Sequence, residues 1–126
     1  MINSFRDLIV WQKSLELVTD VYKLTNQLPR EELFGLSGQL RRSAISIPSN
    51  IAEGQQRNNR LEFRQFLGIA KGSSAELETQ LLLAAELYNV DTTQIISKLV
   101  EIQKMLQTML SKLSTQTSPL STGVGR

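Results

Sequence analysis

The residues that could carry binding chemistry in this 126-residue chain are its cations, which are unevenly distributed. Residues 36–72 contain six basic residues against two acidic ones, whereas each flanking part has a small acidic excess. A row of cations on a rigid helix suits phosphate groups, which supply affinity without sequence information. The alternative is an ordinary solvated charged face. The predicted nucleic-acid contacts are Arg41, Arg42, Arg57, Arg60, Arg64 and Lys71.

The titratable residues give little support for catalysis. The chain has no histidine and no cysteine, which removes imidazole bases, thiol nucleophiles and Cys/His zinc sites. Glu53 could act as a lone general base, but Arg57 stands four residues later and predicts an ordinary helical ion pair. The di-metal sites of four-helix bundles need Glu-x-x-His motifs, which are absent. We therefore expect a non-enzymatic protein with no catalytic residue, no metal and no cofactor.

Pro48 stands inside a pattern that otherwise predicts an apolar helix. A proline in a helix interior removes a backbone hydrogen bond and costs about 3 kcal/mol. One interpretation is a loop between two shorter helices. The other is a kinked helix whose polar side chains face a shared surface. The residues predicted to shape the kink or an interface are Pro48, Ser49, Asn50, Glu53 and Gly54.

Apolar residues at spacings of three and four predict helices at about 7–28, 37–56, 60–88 and 92–114. Short connections favour antiparallel neighbours, so the predicted fold is all-α, an antiparallel up-down-up-down four-helix bundle with a kinked second helix. Residues 1–114 form the bundle domain, and residues 115–126 are expected to be a disordered C-terminal tail. The absence of cysteine, of a signal peptide and of a long apolar run predicts a cytoplasmic protein without a membrane partner.

Two of these helices have features that packing within one bundle does not require. Helix one carries two apolar stripes that cover about half of its circumference, more than the ~100° that a bundle helix needs. The surplus predicts a second buried side, against another subunit, unless the helix is fully enclosed in a monomer. Helix three contains Gly68 and Gly72, which cost up to ~1 kcal/mol each. We expect a close approach of helix two to offset that cost.

Several long motifs, which mix polar and apolar positions, resemble a known family. They lie at residues 8–14 (Leu-Ile-Val-Trp-Gln-Lys-Ser), 39–54 (from Gln-Leu-Arg-Arg to Ala-Glu-Gly), 62–73 (Glu-Phe-Arg-Gln-Phe-Leu onward) and 76–81. Over about residues 5–90 the chain resembles the four-helix-bundle proteins encoded by 23S rRNA intervening sequences. It is also similar to the accessory variability proteins of diversity-generating retroelements. The resemblance implies a homopentameric ring that binds nucleic acid and a reverse transcriptase.

The residues and the resemblance together predict a non-enzymatic, homo-oligomeric bundle protein, a pentamer, that binds nucleic acid through a basic surface. Structured RNA is the expected ligand in preference to DNA. The alternative function is a protein-interaction scaffold or accessory subunit for a partner such as a reverse transcriptase. An enzyme that acts through Glu53 is a third hypothesis.

Overall fold

Four long helices make up the protein in the computed structural model, which describes residues 4–117 and their side chains as far as Ser114. A short 3₁₀ turn at Phe5–Asp7 precedes α1, and a second one at Arg30–Glu32 precedes α2. The helix bounds are Ile9–Thr25 for α1, Leu36–Gln56 for α2, Arg60–Tyr88 for α3 and Thr93–Thr117 for α4. The described residues contain no strand. The predicted all-α fold is confirmed.

The helices form a four-cornered bundle in which sequence neighbours are also neighbours in space. α1 packs beside α2 and α4, and α3 packs beside α2 and α4. The core consists of apolar stripes from all four helices, and its central side chains have no exposed surface. The largest of them are Leu17, Leu40, Ile47, Ile51, Leu67, Leu77, Leu81, Leu99, Ile102 and Leu106.

Local hydrogen bonds explain where α2 and α3 begin. Asn59 Oδ1 accepts the backbone N–H of Glu62 at 3.0 Å, which makes Asn59 the N-cap of α3. At the start of α2, Glu32 Oε1 accepts the backbone N–H of Leu36 at 2.9 Å. The hydroxyl of Tyr88, the last residue of α3, donates to the same carboxylate. Glu32 therefore caps α2 and ties it to the end of α3.

The structure decides between the two interpretations of the proline. α2 is continuous through Pro48, which is buried, so the loop between two short helices is wrong. Helix one ends at Thr25, before the predicted end near residue 28. α4 runs to Thr117, beyond its predicted end near residue 114, and the rest of the predicted tail, residues 118–126, lies outside the described residues.

The close approach predicted at the glycines of α3 is also wrong. A Cβ atom added at Gly68 or at Gly72 would meet no atom within 4 Å. Both residues are exposed, on the side of α3 that faces away from the bundle. Their helix-weakening effect is therefore not offset by any contact within the described chain.

Candidate nucleic-acid interface

The polar residues around Pro48 hold α2 against α3. Asn50 Nδ2 donates to the carbonyl oxygen of Ser46 at 2.8 Å and to its Oγ at 2.9 Å. Ser46 Oγ lies 2.7 Å from Ser73 Oγ on α3, and Ser73 is buried. Buried hydroxyl groups need such partners. These residues form an internal link between two helices, while Ser49 is exposed on the surface of α2.

Gly54 marks the true close contact between α2 and α3. A Cβ atom at this position would lie 2.6 Å from Cβ of Phe66 and 3.1 Å from Cδ1 of Phe63. Only glycine lets the two helices approach this closely at that point. Gly54 therefore has a packing role, and this contact is the close approach that we had expected at Gly68 and Gly72.

Two carboxylates surround Arg57, one of the six predicted phosphate contacts. Its guanidinium lies 3.0 Å from Glu53 and 3.3 Å from Glu62, and it stacks over the ring of Phe66 with 5.0 Å to the ring centroid. The hydrogen bond that Arg57 donates to Glu53, together with the nearby negative charges of Glu53 and Glu62, raises the pKa of Arg57 above its usual value. The predicted ion pair of Glu53 and Arg57 is present, and it reduces the charge that Arg57 offers to a phosphate.

Arg41 and Arg42 lie away from the other predicted cations. Arg41 Nε donates to Thr25 Oγ1 at 3.0 Å, and its guanidinium stacks over Tyr22 at 4.5 Å, so it links α2 to α1. Arg42 is exposed and lines a polar groove between α2 and α3 that also contains Glu76. The structure therefore does not gather the six predicted cations into one patch.

The remaining three predicted cations do lie together, along the edge where α3 meets α4. Arg64 Nε donates to Ser114 Oγ at 2.7 Å, and Lys71 Nζ donates to the side-chain oxygen of Gln107. Arg60 is exposed one turn before Arg64 on the same face of α3. α4 thus orients two of these side chains while they stay at the surface.

A further cation, which sequence reasoning overlooked, lies on the outward side of α4 beside this edge. Lys104 stands one turn before Gln107 on α4 and is exposed. No acidic residue follows Glu101 in the chain, so this half of α4 adds positive charge with no carboxylate of its own. That acid-free run was the signal in the sequence that could have found it. We define the basic edge as Arg60, Arg64, Lys71 and Lys104.

Several apolar surfaces of the described residues are left uncovered. One is a groove between α1 and α4 that includes Leu8, Ile9 and Met109. Another is a groove between α1 and α2, which contains no charged residue. The α1/α2 groove is lined by Phe5, Trp11, Leu15, Val18, Ile45, Pro48, Ser49 and Ala52. It holds part of the surplus apolar stripe that the sequence predicted for helix one.

A further surface with exposed apolar side chains is the side of α3 that faces away from the core, where the exposed Glu76 and Glu86 interrupt it. Five of the eleven exposed large hydrophobic residues lie on α3, and none lies on the described part of α4. At about 100° per residue, Leu61 and Gly72 lie opposite the buried Ala70 and Leu81. We define the outer face of α3 as Leu61, Gly68, Ile69, Gly72, Leu83 and Leu87.

The described part of the chain shows neither a metal-binding cluster nor a membrane-spanning helix. No group of three or more acidic side chains there is arranged to hold a metal ion. None of the described helices is both long and apolar enough to cross a bilayer.

The fold and its surfaces define a four-helix-bundle protein with a basic edge and uncovered apolar surfaces. A family model for the 23S rRNA-intervening sequence protein matches residues 6–108, and the chain belongs to this family. A structural relative is a protein with unknown function from the S23 ribosomal protein family of Bacteroides thetaiotaomicron VPI-5482, solved at 1.70 Å resolution. It is 32% identical with a TM-score of 0.69, over 81% of this chain and 98% of that chain. No match is found among the curated proteins.

Proposed function

We propose that this chain is a non-enzymatic, homo-oligomeric protein that binds the phosphates of structured RNA along the basic edge. The observation that carries the proposal is the row of Arg60, Arg64 and Lys71 on α3, at its edge with α4, with Lys104 beside it on the outward side of α4. On α3, the only acidic residue between Arg60 and Ala75 is Glu62, which pairs with Arg57. A rigid row of cations attracts a polyanion and raises its rate of association.

The chemistry of the edge favours backbone contacts over the reading of bases. Arg64 and Lys71 of α3 donate hydrogen bonds to Ser114 and Gln107 of α4, which restrict the two cationic side chains. Less conformational entropy is therefore lost when they bind a phosphate. The described part of α4 contains no aromatic residue, and Phe63 and Phe66 of α3 are partly buried. Without exposed rings the edge cannot stack unpaired bases. Paired, structured RNA is therefore the better fit.

Assembly would make the binding stronger. One protomer contributes only four cations along its basic edge, which gives modest affinity by itself. A homo-oligomer repeats that edge around one particle, and repeated contacts then add through effective concentration. We propose a pentamer, in line with the family resemblance, and the uncovered apolar surfaces support assembly. A pentamer has five times the 14.2 kDa mass of the chain, which light scattering measures directly.

The test of RNA binding is the double substitution Arg60→Gln and Arg64→Gln. It should weaken the binding of a hairpin RNA and lower the slope of log K against log salt concentration by about 2, roughly one unit per lost phosphate contact. The matched control is Lys23→Gln with Arg30→Gln, which removes the same charge at exposed positions outside the edge. Equal affinities and slopes for the two double variants would show that the basic edge is not the binding surface.

A second candidate function is that of a scaffold for a protein partner, such as a reverse transcriptase. The uncharged α1/α2 groove favours it, since the centres of protein interfaces are depleted in charged residues. Binding of a protein there should respond weakly to salt, in contrast to binding of RNA at the basic edge. Loss of partner binding in Ile45→Lys, with retention in the Arg60→Gln and Arg64→Gln variant, would assign the groove to that partner.

A further inference from the structure

A pocket with a volume of about 220 Å³ lies between the end of α1 and the start of α2. Its polar lining includes the side chains of Arg30, Ser37 and Arg41, and we call it the Arg30/Arg41 pocket. None of the residues of the basic edge lines it. We propose that this pocket binds the terminal phosphate group of a phosphate monoester, a ligand beyond the RNA backbone assigned to the basic edge.

The charges of the Arg30/Arg41 pocket suit an anion with more than one negative charge. Two arginines line it and no carboxylate does. Neither arginine forms an ion pair within the described part of the chain. The nearby Glu32 is occupied by the first amide of α2 and by the hydroxyl of Tyr88, and Glu31 is exposed. A phosphate monoester carries a charge of about −1.5 to −2 at pH 7, which the two guanidinium groups balance.

Contacts with α1 hold the guanidinium of Arg41 in place at the pocket. Its Nε donates to Thr25 Oγ1 at 3.0 Å, and the group stacks over the ring of Tyr22 at 4.5 Å. The Thr25 hydroxyl donates in turn to the carbonyl oxygen of Tyr22 at 2.9 Å. The two terminal nitrogens of Arg41 have no hydrogen-bond partner among the described residues. Arg41 therefore offers a positioned fork of N–H donors, the geometry that arginine uses to bind phosphate oxygens.

Ser37 supplies a buried hydroxyl that lacks a partner. It is only 3% exposed, it lines the pocket, and its side chain makes no hydrogen bond within the described residues. Other buried serines, such as Ser14 and Ser74, donate to a carbonyl oxygen one turn earlier in their helix. Ser37 is the second residue of α2, so no earlier helical turn exists for it. Since buried hydroxyls are normally hydrogen-bonded, this one is available to a ligand oxygen, at a helix start whose dipole also favours an anion.

The size of the Arg30/Arg41 pocket suits one phosphate group. Its volume equals that of about seven water molecules at ~30 Å³ each, and the oxygens of a phosphate group are each similar in size to a water molecule. Leu28 and Leu33 form an apolar part of the lining, and a less polar environment strengthens hydrogen bonds electrostatically. Little space remains for the rest of the ligand, so the phosphate end carries the recognition.

Calorimetric titration with inorganic phosphate, at constant ionic strength in a chloride buffer, tests the pocket. Arg30→Gln with Ser37→Ala should bind phosphate at least ~10-fold more weakly than the native chain, because charge-assisted hydrogen bonds are lost. Its urea midpoint should stay close to the native value, since neither side chain has a hydrogen bond within the described residues. The matched control, Lys23→Gln with Ser97→Ala, removes the same charge and one hydroxyl at exposed positions elsewhere and should bind phosphate like the native chain. Equal affinities of the two double variants, or no binding by the native chain, would overturn the proposal.

A phosphate monoester has two sources, the 5′ end of an RNA and a free phosphorylated small molecule, and a second titration distinguishes them. One hairpin RNA is compared with a 5′-phosphate and with a 5′-hydroxyl end. Tighter binding of the 5′-phosphate form by the native chain, lost in the Arg30→Gln and Ser37→Ala variant, would assign the pocket to RNA ends. Equal binding of both forms, with inorganic phosphate still bound at the pocket, would assign it to a small molecule. The 5′-hydroxyl hairpin also serves for the test of the basic edge, whose control variant contains Arg30→Gln. The Arg60→Gln and Arg64→Gln variant should keep its affinity for inorganic phosphate, so the two proposals can fail separately.

Discussion

Substituting Gly54 by alanine should destabilise the protein, although alanine is the better helix former. The added Cβ would lie 2.6 Å from Cβ of Phe66, an atom that cannot rotate away because it is fixed to the backbone of α3. Overpacking of this kind costs about 1–3 kcal/mol, while alanine returns up to ~1 kcal/mol of helix propensity. Since α2 and α3 must move apart to relieve the contact, we expect a net loss of about 1–2 kcal/mol in the free energy of unfolding.

Urea unfolding at a fixed protomer concentration measures this loss, because assembly itself raises apparent stability. Ser97→Ala, at an exposed helical position on α4, is the matched control and should change stability by no more than about 0.5 kcal/mol. A midpoint urea concentration for Gly54→Ala that equals or exceeds the native value would refute the reasoning. It would mean that the two helices have room for a methyl group at their closest point.

Two further substitutions test the polar links of the bundle. Ser46→Ala removes a hydrogen-bond acceptor of Asn50 and should lower the free energy of unfolding by about 1–3 kcal/mol. The control Ser49→Ala, at an exposed position, should change it by no more than ~0.5 kcal/mol. Equal urea midpoints for the two variants would contradict a stabilising role of the Ser46 hydrogen bonds. Hydrogen bonds from Tyr88 and from the Leu36 amide lower the pKa of Glu32, so its contribution to stability is present above about pH 4.3 and is lost as pH falls through the lower folded value. Glu32→Gln should therefore be less stable than the native chain at pH 7, and the difference in the free energy of unfolding should become smaller at acidic pH. A difference that does not change with pH would contradict the capping role.

The helices could be predicted closely because their signals are local. Asn59 caps α3 from three residues away, and the inner face of α2 is an uninterrupted apolar stripe from Leu40 to Ile51. The close contact at Gly54 could not be predicted in the same way. A glycine in a helix shows only that no side chain is present, and it does not identify the neighbour that fills the space. Helical spacing does separate the glycines, because Gly54 is in phase with the buried Ile51 of α2, whereas Gly72 lies opposite the buried Leu81 of α3.

The basic edge shows the same division between local and long-range information. Arg60, Arg64 and Lys71 share one face of α3, which helical spacing predicts. The side chains that Arg64 and Lys71 contact, Ser114 and Gln107, lie fifty and thirty-six residues further along the chain, and helical spacing cannot identify them. Arg57 is also close in sequence, but it lies beside two carboxylates, and that placement depends on how the chain turns between α2 and α3. Sequence spacing identified the charges and the structure identified their surroundings.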